Sequence, residues 1–471
     1  MLPALPIVLI YFIIVLGVGL SASRLVKGSE DQLVAGRNLG LWLCTVAVVG
    51  EWLGGMSTIG VPERAYGYGI SAAWYNVSTA TGMAVFGFLL ARHYRERGVR
   101  TVPEMLEHLF GPGARHYAAY ASLIAYFVLS FVQLKTLGTV FTAMLDIRYE
   151  YGILLAAAVI IAYTAAGGLW SVTLTNVLHV LVILIGLPLA LVAVISHFGG
   201  LGAMIEAARA AGNPVSDPFA MGYSVVLSFF LGGVFGALAA QASIQPVFAA
   251  KDWQTGRRAS FLSAAIIAPI GILTATLGIA ASAAYPGLPR SQWKFAVLDL
   301  LLNAKYVHPV IGGLATAAII AAILSTVAPV LLALSTIFSV DVYPRIRPGA
   351  TDREVLRAAR LSTILFGIFI IPFAIYSRQF ILDVAYISYA IRDTLALVVI
   401  YGIWFAMGNR NAPLVAKIAI AGGTAAGILF ASRPILTSLG IPLPHLDKVF
   451  ASLASALIII LAAEAYSRLR R

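Results

Sequence analysis

Charge is what this sequence has least of. Asp, Glu, Lys and Arg together make 11% of its 471 residues, where soluble domains run near a quarter. That excludes water as the solvent for most of the chain. Cysteine is nearly absent as well: the single Cys44 excludes an intrachain disulfide and leaves the redox compartment unread. Long polar tracts are missing too. The largest connections, roughly 92–116, 197–221, 286–308 and 341–356, have the size of ordinary loops or short interfacial helices, so a second, water-soluble domain is excluded. Acidic residues are scarcer than basic ones, 20 against 32, for a net charge of +12. In a soluble protein that excess would suggest nucleic acid, but here its meaning depends on where the cations fall.

What is present is hydrocarbon. Residues of the apolar set make 60% of the chain and mean hydropathy is +0.91, in runs long enough to cross a core of about 30 Å, which takes roughly 20 helical residues. Runs so long and uniformly apolar are helices, not barrel strands, so an all-α polytopic membrane protein is expected. Thirteen transmembrane helices are counted, at roughly 5–26, 41–61, 71–91, 117–144, 151–166, 171–196, 222–248, 259–285, 309–340, 357–376, 380–407, 413–432 and 448–466. The first lacks a basic n-region and an A-x-A-like cleavage site, and reads as a retained helix. Assigning Lys and Arg to alternate sides puts twenty on one side, from Arg24 to Arg471, and nine on the other, Arg378 among them. The positive-inside rule then predicts a multi-pass protein of the cell (inner) membrane, N-terminus outside and C-terminus cytoplasmic. The whole chain, 1–471, reads as a single membrane transport domain.

Several residues do not belong in lipid. The second span, LWLCTVAVVGEWLGGMSTIGVPERAYGYG, carries Glu51 at its middle beside Gly50 and the pair Gly54-Gly55. Glycines lower the cost of leaving helical geometry, and freed carbonyls in a broken helix can coordinate a desolvated cation. Close helix packing would explain the glycines alone equally well. Glu51 tilts the reading toward function, since an intramembrane carboxylate costs at least ~2.5 kcal/mol unless paired or solvated. The seventh span, LGGVFGALAAQASIQPVFAAKDW, repeats the pattern with Gly232, Gly233 and Gly236, then Gln241, Gln245 and Pro246. Two such spans five apart suggest inverted five-helix repeats at 41–196 and 222–407, with 1–40 before them and two trailing helices in 413–471. In the ninth span, Ser335-Thr336 are explained by hydroxyls bonding back one turn. Ser325-Thr326 differ, because Pro329 cannot donate to the Ser325 carbonyl, which leaves an oxygen-only cluster suited to a small hard cation. Asn76, Gln133, Lys135, Asn176, His179 and Gln241 join Glu51 as candidates for substrate binding or proton coupling. Arg392 and Asp393 are also buried by this count, and as neighbours point about 100° apart on a helix.

Five stretches stand out: AGRNLG before the second span, GVPERAYGYG closing it, GGLWSVTLTNVLHVLVILIG in the sixth, AAKDWQTGRRAS leaving the seventh, and AAILSTVAPVLLALSTIFSVDVY in the ninth. Through them the sequence resembles the sodium:solute symporter family over nearly its whole length. The resemblance implies a leucine-transporter-type core of inverted 5+5 repeats. It also implies a sodium site built from the carbonyls of Gly50 and Leu53 with Ala322, Ser325 and Thr326. Three departures stand out. Thr175-Asn176 and then His179 replace the family's usual T-D followed by Gln, Pro246 stands where Arg is usual, and Glu51 is not a typical family residue.

The expectation is therefore a secondary active transporter: sodium-coupled symport of a small polar organic solute by alternating access, with the sodium ion as its only cofactor. Alternatives are proton coupling through Glu51 and a membrane sensor without net transport, against which the tail SRLRR leaves no signalling module. An enzyme is not expected. His93, His108 and His116 share one face with Glu104 and Glu107, but such loops are usually solvated faces. The partners are the solute and the lipid bilayer, with no nucleic acid and monomeric function. Lys135 and Arg392 suit a carboxylate, Glu51 an amine, and the two together a zwitterion; the sequence does not choose.

Overall fold

Apolar runs leave backbone N–H and C=O groups no partner outside the segment, and the chain answers with helices throughout. The computed structural model describes residues 5–145, 147–376, 381–406, 409–438, 440–441 and 443–469. Arg378, Arg470 and Arg471 of the charge tally lie outside the described residues. The chain runs through Leu5–Ser21; Leu41–Trp52 and Val61–Tyr68, two parts of an interrupted helix; Trp74–Leu89; Pro112–Leu145; Tyr149–His197; Tyr223–Leu238 and Gln241–Phe248, again interrupted; Trp253–Ala284; Pro309–Ile337; Asp352–Phe369 continued by Ile371–Tyr376; Ile381–Trp404; Ala412–Ala431; and Lys448–Leu469. Every expected span coincides with one of these.

The count of thirteen membrane crossings is not confirmed. Among the described residues nine helices are long and apolar enough to cross a membrane, and ten if the bent pair Leu41–Trp52 and Met56–Leu89 is one span. The stretches Ile10–Leu25 and Tyr149–Ala162 are apolar but shorter. Breaks account for much of the shortfall, since an interrupted helix yields two short pieces. Another break separates the spans expected at 151–166 and 171–196, which form one helical stretch turned at Gly168 (φ 52°, ψ −139°). Glycine is required there twice over: the φ is left-handed, and a Cβ would stand 2.3 Å from the Gln32 carbonyl oxygen.

The apolar middle of the segment Pro309–Ile346 is buried throughout, whereas the most apolar stretches of Asp352–Tyr376 and Lys448–Ser467 are buried over 33% of their residues. The first is the axis of the bundle, and the others are its lipid-facing rind. One isolated parallel bridge joins Leu39 to Ala250: Leu39 N donates to Ala249 O at 2.9 Å and Lys251 N to Leu39 O at 3.0 Å. It ties the AGRNLG stretch entering the first interrupted helix to the AAKDW stretch leaving the second.

Candidate functional site

The first interrupted helix stops at Trp52. Leu53 (φ −84°, ψ 24°) leaves helical geometry, and a wide turn over Met56–Gly60 leads into Val61–Tyr68. The break is pressed against the buried helix, with Gly54 so close that a Cβ there would stand 1.9 Å from Thr326 Oγ1. Ser325 Oγ donates to Gly50 O (2.6 Å) and Ala322 O (2.8 Å). Thr326 Oγ1 reaches Glu51 O (2.6 Å), and Gly50 O and Ala322 O at 3.3 Å each. Every donor atom is a neutral, buried oxygen, the set a small hard cation prefers. Gly50, Ala322, Ser325 and Thr326 of the expected sodium ligands therefore meet here. The hydroxyl bonds reach the carbonyl of Glu51 rather than that of Leu53, whose N–H closes on Val49 O at 3.0 Å. Asn176 borders the cluster, donating to Ala47 O at 3.3 Å. Ser335 and Thr336 bond back to Leu332 O at 2.9 and 2.8 Å, as isolated hydroxyls do.

The second break falls at Ala239 and Ala240 (φ −79°, ψ 81° at Ala240), not at the glycines before it. Gly233 and Gly236 sit inside the helix, where a Cβ would meet Ser78 Oγ at 2.0 Å and the Tyr389 ring at 2.8 Å; they serve close packing. The Glu51 side chain spans from the first break to the second, and its Oε2 accepts from Ser243 Oγ. Among the described residues Oε1 has no hydrogen-bond partner. Three tyrosines stand within electrostatic range of this carboxylate. Tyr75 and Tyr389 share a hydroxyl–hydroxyl bond of 2.9 Å, Tyr126 OH accepts from Ala242 N at 3.1 Å, and Trp52 lies 6.4 Å from Tyr389 between centroids.

Arg392 completes the cluster. It is 1% exposed, with its guanidinium carbon 4.1 Å from the Tyr389 ring centroid and 5.9 Å from that of Tyr126. Among the described residues none of its three side-chain nitrogens has a hydrogen-bond partner, and neither does Trp52 Nε1. A desolvated cation–π contact returns about 2 kcal/mol. Taking an ion out of water costs several kcal/mol, and each buried donor left unpaired about 1–3 kcal/mol. The ring alone does not satisfy Arg392. Asp393, whose oxygens are likewise without partners, lies toward Gly236 instead.

At one end of the bundle a cavity of about 1400 Å3 opens, lined among others by Glu63, Lys135, Arg290, Lys294 and Asp383. An Arg64–Asp383 ion pair stands at its wall. The opposite end is closed by charge. Arg115 binds Glu107 (2.5 Å), Asp341 (2.7 Å) and Glu104 (3.4 Å), and Arg100 binds Glu104 at 2.7 Å. Burial pushes the Glu104 carboxyl up, but the hydrogen bonds and charge of Arg100, with the charge of Arg115, outweigh it and hold the group below the usual carboxylate range. Helix Pro112–Leu145 has Arg115 in this network and Lys135 and Thr142 in the cavity wall.

The remaining candidates scatter. Gln241 is committed to the charged end, accepting from Val102 N (2.9 Å) and donating to Arg100 O (2.8 Å). Asn76 donates to Ser57 Oγ at 2.7 Å. His179 Nδ1 bonds the Tyr11 hydroxyl. Gln133 lies against Gly55, with no hydrogen-bond partner for either amide atom among the described residues. Sequence reasoning missed Ser243, Trp52, Tyr75, Tyr126, Tyr389 and Glu63. Glu63 was findable as a carboxylate inside GVPERAYGYG, and Ser243 as the residue between two glutamines. The aromatics carry no such signal, because rings are common wherever a helix meets lipid.

The family described as "Sodium:solute symporter family" matches residues 33–419. The chain belongs to this family. This symporter is similar to the osmoregulated proline transporter OpuE of Bacillus subtilis (strain 168), 25% identical over 399 residues, 81% of this chain and 79% of that one. Its fold is similar to a sodium-coupled sialic acid symporter in a substrate-bound, outward-open state, with TM-score 0.81, 19% identity, and 100% and 98% of the two chains covered. It also resembles Mhp1, a nucleobase-cation-symport-1 family transporter in a closed conformation, with TM-score 0.59, 13% identity, and 93% and 95% covered. The likenesses show the leucine-transporter fold. The protein is a multi-pass membrane transporter of a small solute and not an enzyme.

Proposed function

We propose that the symporter couples sodium movement to the uptake of a small polar organic solute by alternating access. The observation that carries this is the oxygen cluster between Gly50, Ala322, Ser325 and Thr326, which joins an interrupted helix to the buried axis of the bundle. A cation there draws the two hydroxyl oxygens and the carbonyls onto itself and fixes the break against the Pro309–Ile337 helix. Glu51 is held by the same break, so its carboxylate is set in place as the ion binds. Sodium and solute then raise each other's affinity by the same factor. The cavity is the outward mouth and the Arg115 network the closed inner gate, with the N-terminus outside and the C-terminus in the cytoplasm. The repeats 41–196 and 222–407 supply one broken helix each.

Uptake into proteoliposomes, with sodium replaced by choline on the outer face, tests the reading. Sodium dependence is expected at every pH. Uptake driven by a pH gradient alone, with no effect of sodium, would replace it by proton coupling through Glu51.

A further inference from the structure

We propose that the solute is a zwitterion whose carboxylate is held by Arg392 and whose cationic centre faces Glu51. The inference rests on the symport reading and adds the substrate class.

Three observations carry it. First, the Arg392 guanidinium is buried at the aromatic cluster beside Tyr126 and Tyr389, and none of its nitrogens meets a partner in normal hydrogen-bond geometry among the described residues. Bidentate recognition of a carboxylate is what its planar fork is shaped for. Second, Glu51 offers Oε1 with no hydrogen-bond partner while Oε2 is fixed by Ser243. Glu51 and Arg392 attract each other across the site, but the two form no ion pair within 4 Å among the described residues. Third, the surroundings are rings, those of Trp52, Tyr75, Tyr126 and Tyr389, which suit a compact apolar body or an ammonium face.

Charge balance then selects the class. The pair sums to zero, as a zwitterion does, and a zwitterion completes both groups at once. A carboxylate without a cation would satisfy Arg392 and be repelled by Glu51. An amine without a carboxylate would do the reverse, and a neutral sugar would bring no charge to either group. Asp393, about 100° round the helix from Arg392, also attracts it, and its carboxylate lies toward Gly236.

Thermal unfolding of the purified full-length protein in sodium or choline chloride tests this, because a ligand of the folded state stabilises by mass action. The probes are the common L-amino acids and glycine betaine as zwitterions, propionate as carboxylate alone, butylamine as amine alone, and galactose as neither. In sodium, at least one zwitterion is expected to raise the unfolding temperature, and the other three probes are not. The concentration needed should rise at least ~100-fold in Arg392→Gln and in Glu51→Gln, and about tenfold in Arg392→Lys, which keeps the charge without the fork. Sodium alone should stabilise each variant as it does the wild type, which shows that the fold is intact. Should Arg392→Gln fail that control, Arg392→Lys carries the test. Stabilisation by propionate, butylamine or galactose, no stabilisation by any zwitterion, or an unchanged zwitterion response in a variant that passes the control overturns the inference and leaves symport standing. Absence of any sodium effect on the wild type overturns both.

Discussion

Thr326 makes two contacts with one oxygen: its hydroxyl meets the Glu51 carbonyl at 2.6 Å and leaves no room for a side chain on Gly54. Ser325→Ala with Thr326→Ala is therefore expected to raise the sodium concentration for half-maximal uptake by at least ~10-fold, the worth of one or two hydrogen bonds or ion ligands, with near-normal expression. Uptake measured against sodium concentration checks it, and an unchanged curve would dismiss the site. Gly54→Ala should cost about 1–3 kcal/mol as overpacking and abolish the stabilising effect of sodium in thermal unfolding. Gly17→Ala, where a Cβ meets nothing within 4 Å, should change neither. At this scale the sequence was legible where chemistry breaks an apolar pattern. Ser325 and Thr326 stood out because Pro329 follows them, and Glu51 because lipid tolerates no lone carboxylate. The register of the break was not legible, since Gly50, Gly54 and Gly55 permit more than one. The Thr326 hydroxyl bonds the carbonyl of Glu51.

Among the elements, the short helix Val102–Phe110 shows how a connection becomes a gate. It lies in a connection with the size of a loop or a short interfacial helix; Thr101 caps it by accepting from Glu104 N at 3.0 Å, and its acids are taken up by Arg100 and Arg115. Glu104 and Glu107 are thus ion-pair partners, not members of a catalytic constellation with His108. Arg115→Gln strands the buried Asp341, and breaking a buried pair costs about 3–5 kcal/mol, enough to move a two-state balance by a factor of 100 or more. The variant is expected to favour the state open at this end. A cysteine in place of Met105, buried here, should then react at least ~10-fold faster with a membrane-permeant maleimide. An equal rate would show that the network is only local glue. The two broken helices were half legible: the sequence pattern found both, but placed the second at glycines. Those glycines pack against Ser78 and Tyr389, and the break comes afterwards at Ala239 and Ala240, where no residue type announces it.

At the scale of the whole molecule, hydropathy alone disclosed an all-helical membrane protein, because a hydrocarbon solvent permits little else. It did not disclose which helix forms the axis, since a helix in lipid and a helix buried in protein are equally apolar. Orientation remains a prediction from the twenty-to-nine split of Lys and Arg. The natural Cys44 is buried, so Arg97→Cys and Arg353→Cys should be labelled by an impermeant maleimide only from the cytoplasm, and Ser291→Cys, at the cavity wall, only from outside. Labelling of Arg97→Cys and Ser291→Cys from the same side would refute the topology. The helix Pro112–Leu145 gives the two ends a mechanical relation. It runs without a break for about 50 Å at 1.5 Å per residue, with Arg115 in one gate and Thr142 in the wall of the other. Such a rod is a lever. A relative tilt of about 10° between it and the interrupted helices displaces contacts at each tip by about 4 Å, in opposite senses. That stroke exceeds the reach of a hydrogen bond, so whatever loosens one mouth tightens the other, and the two need no messenger between them.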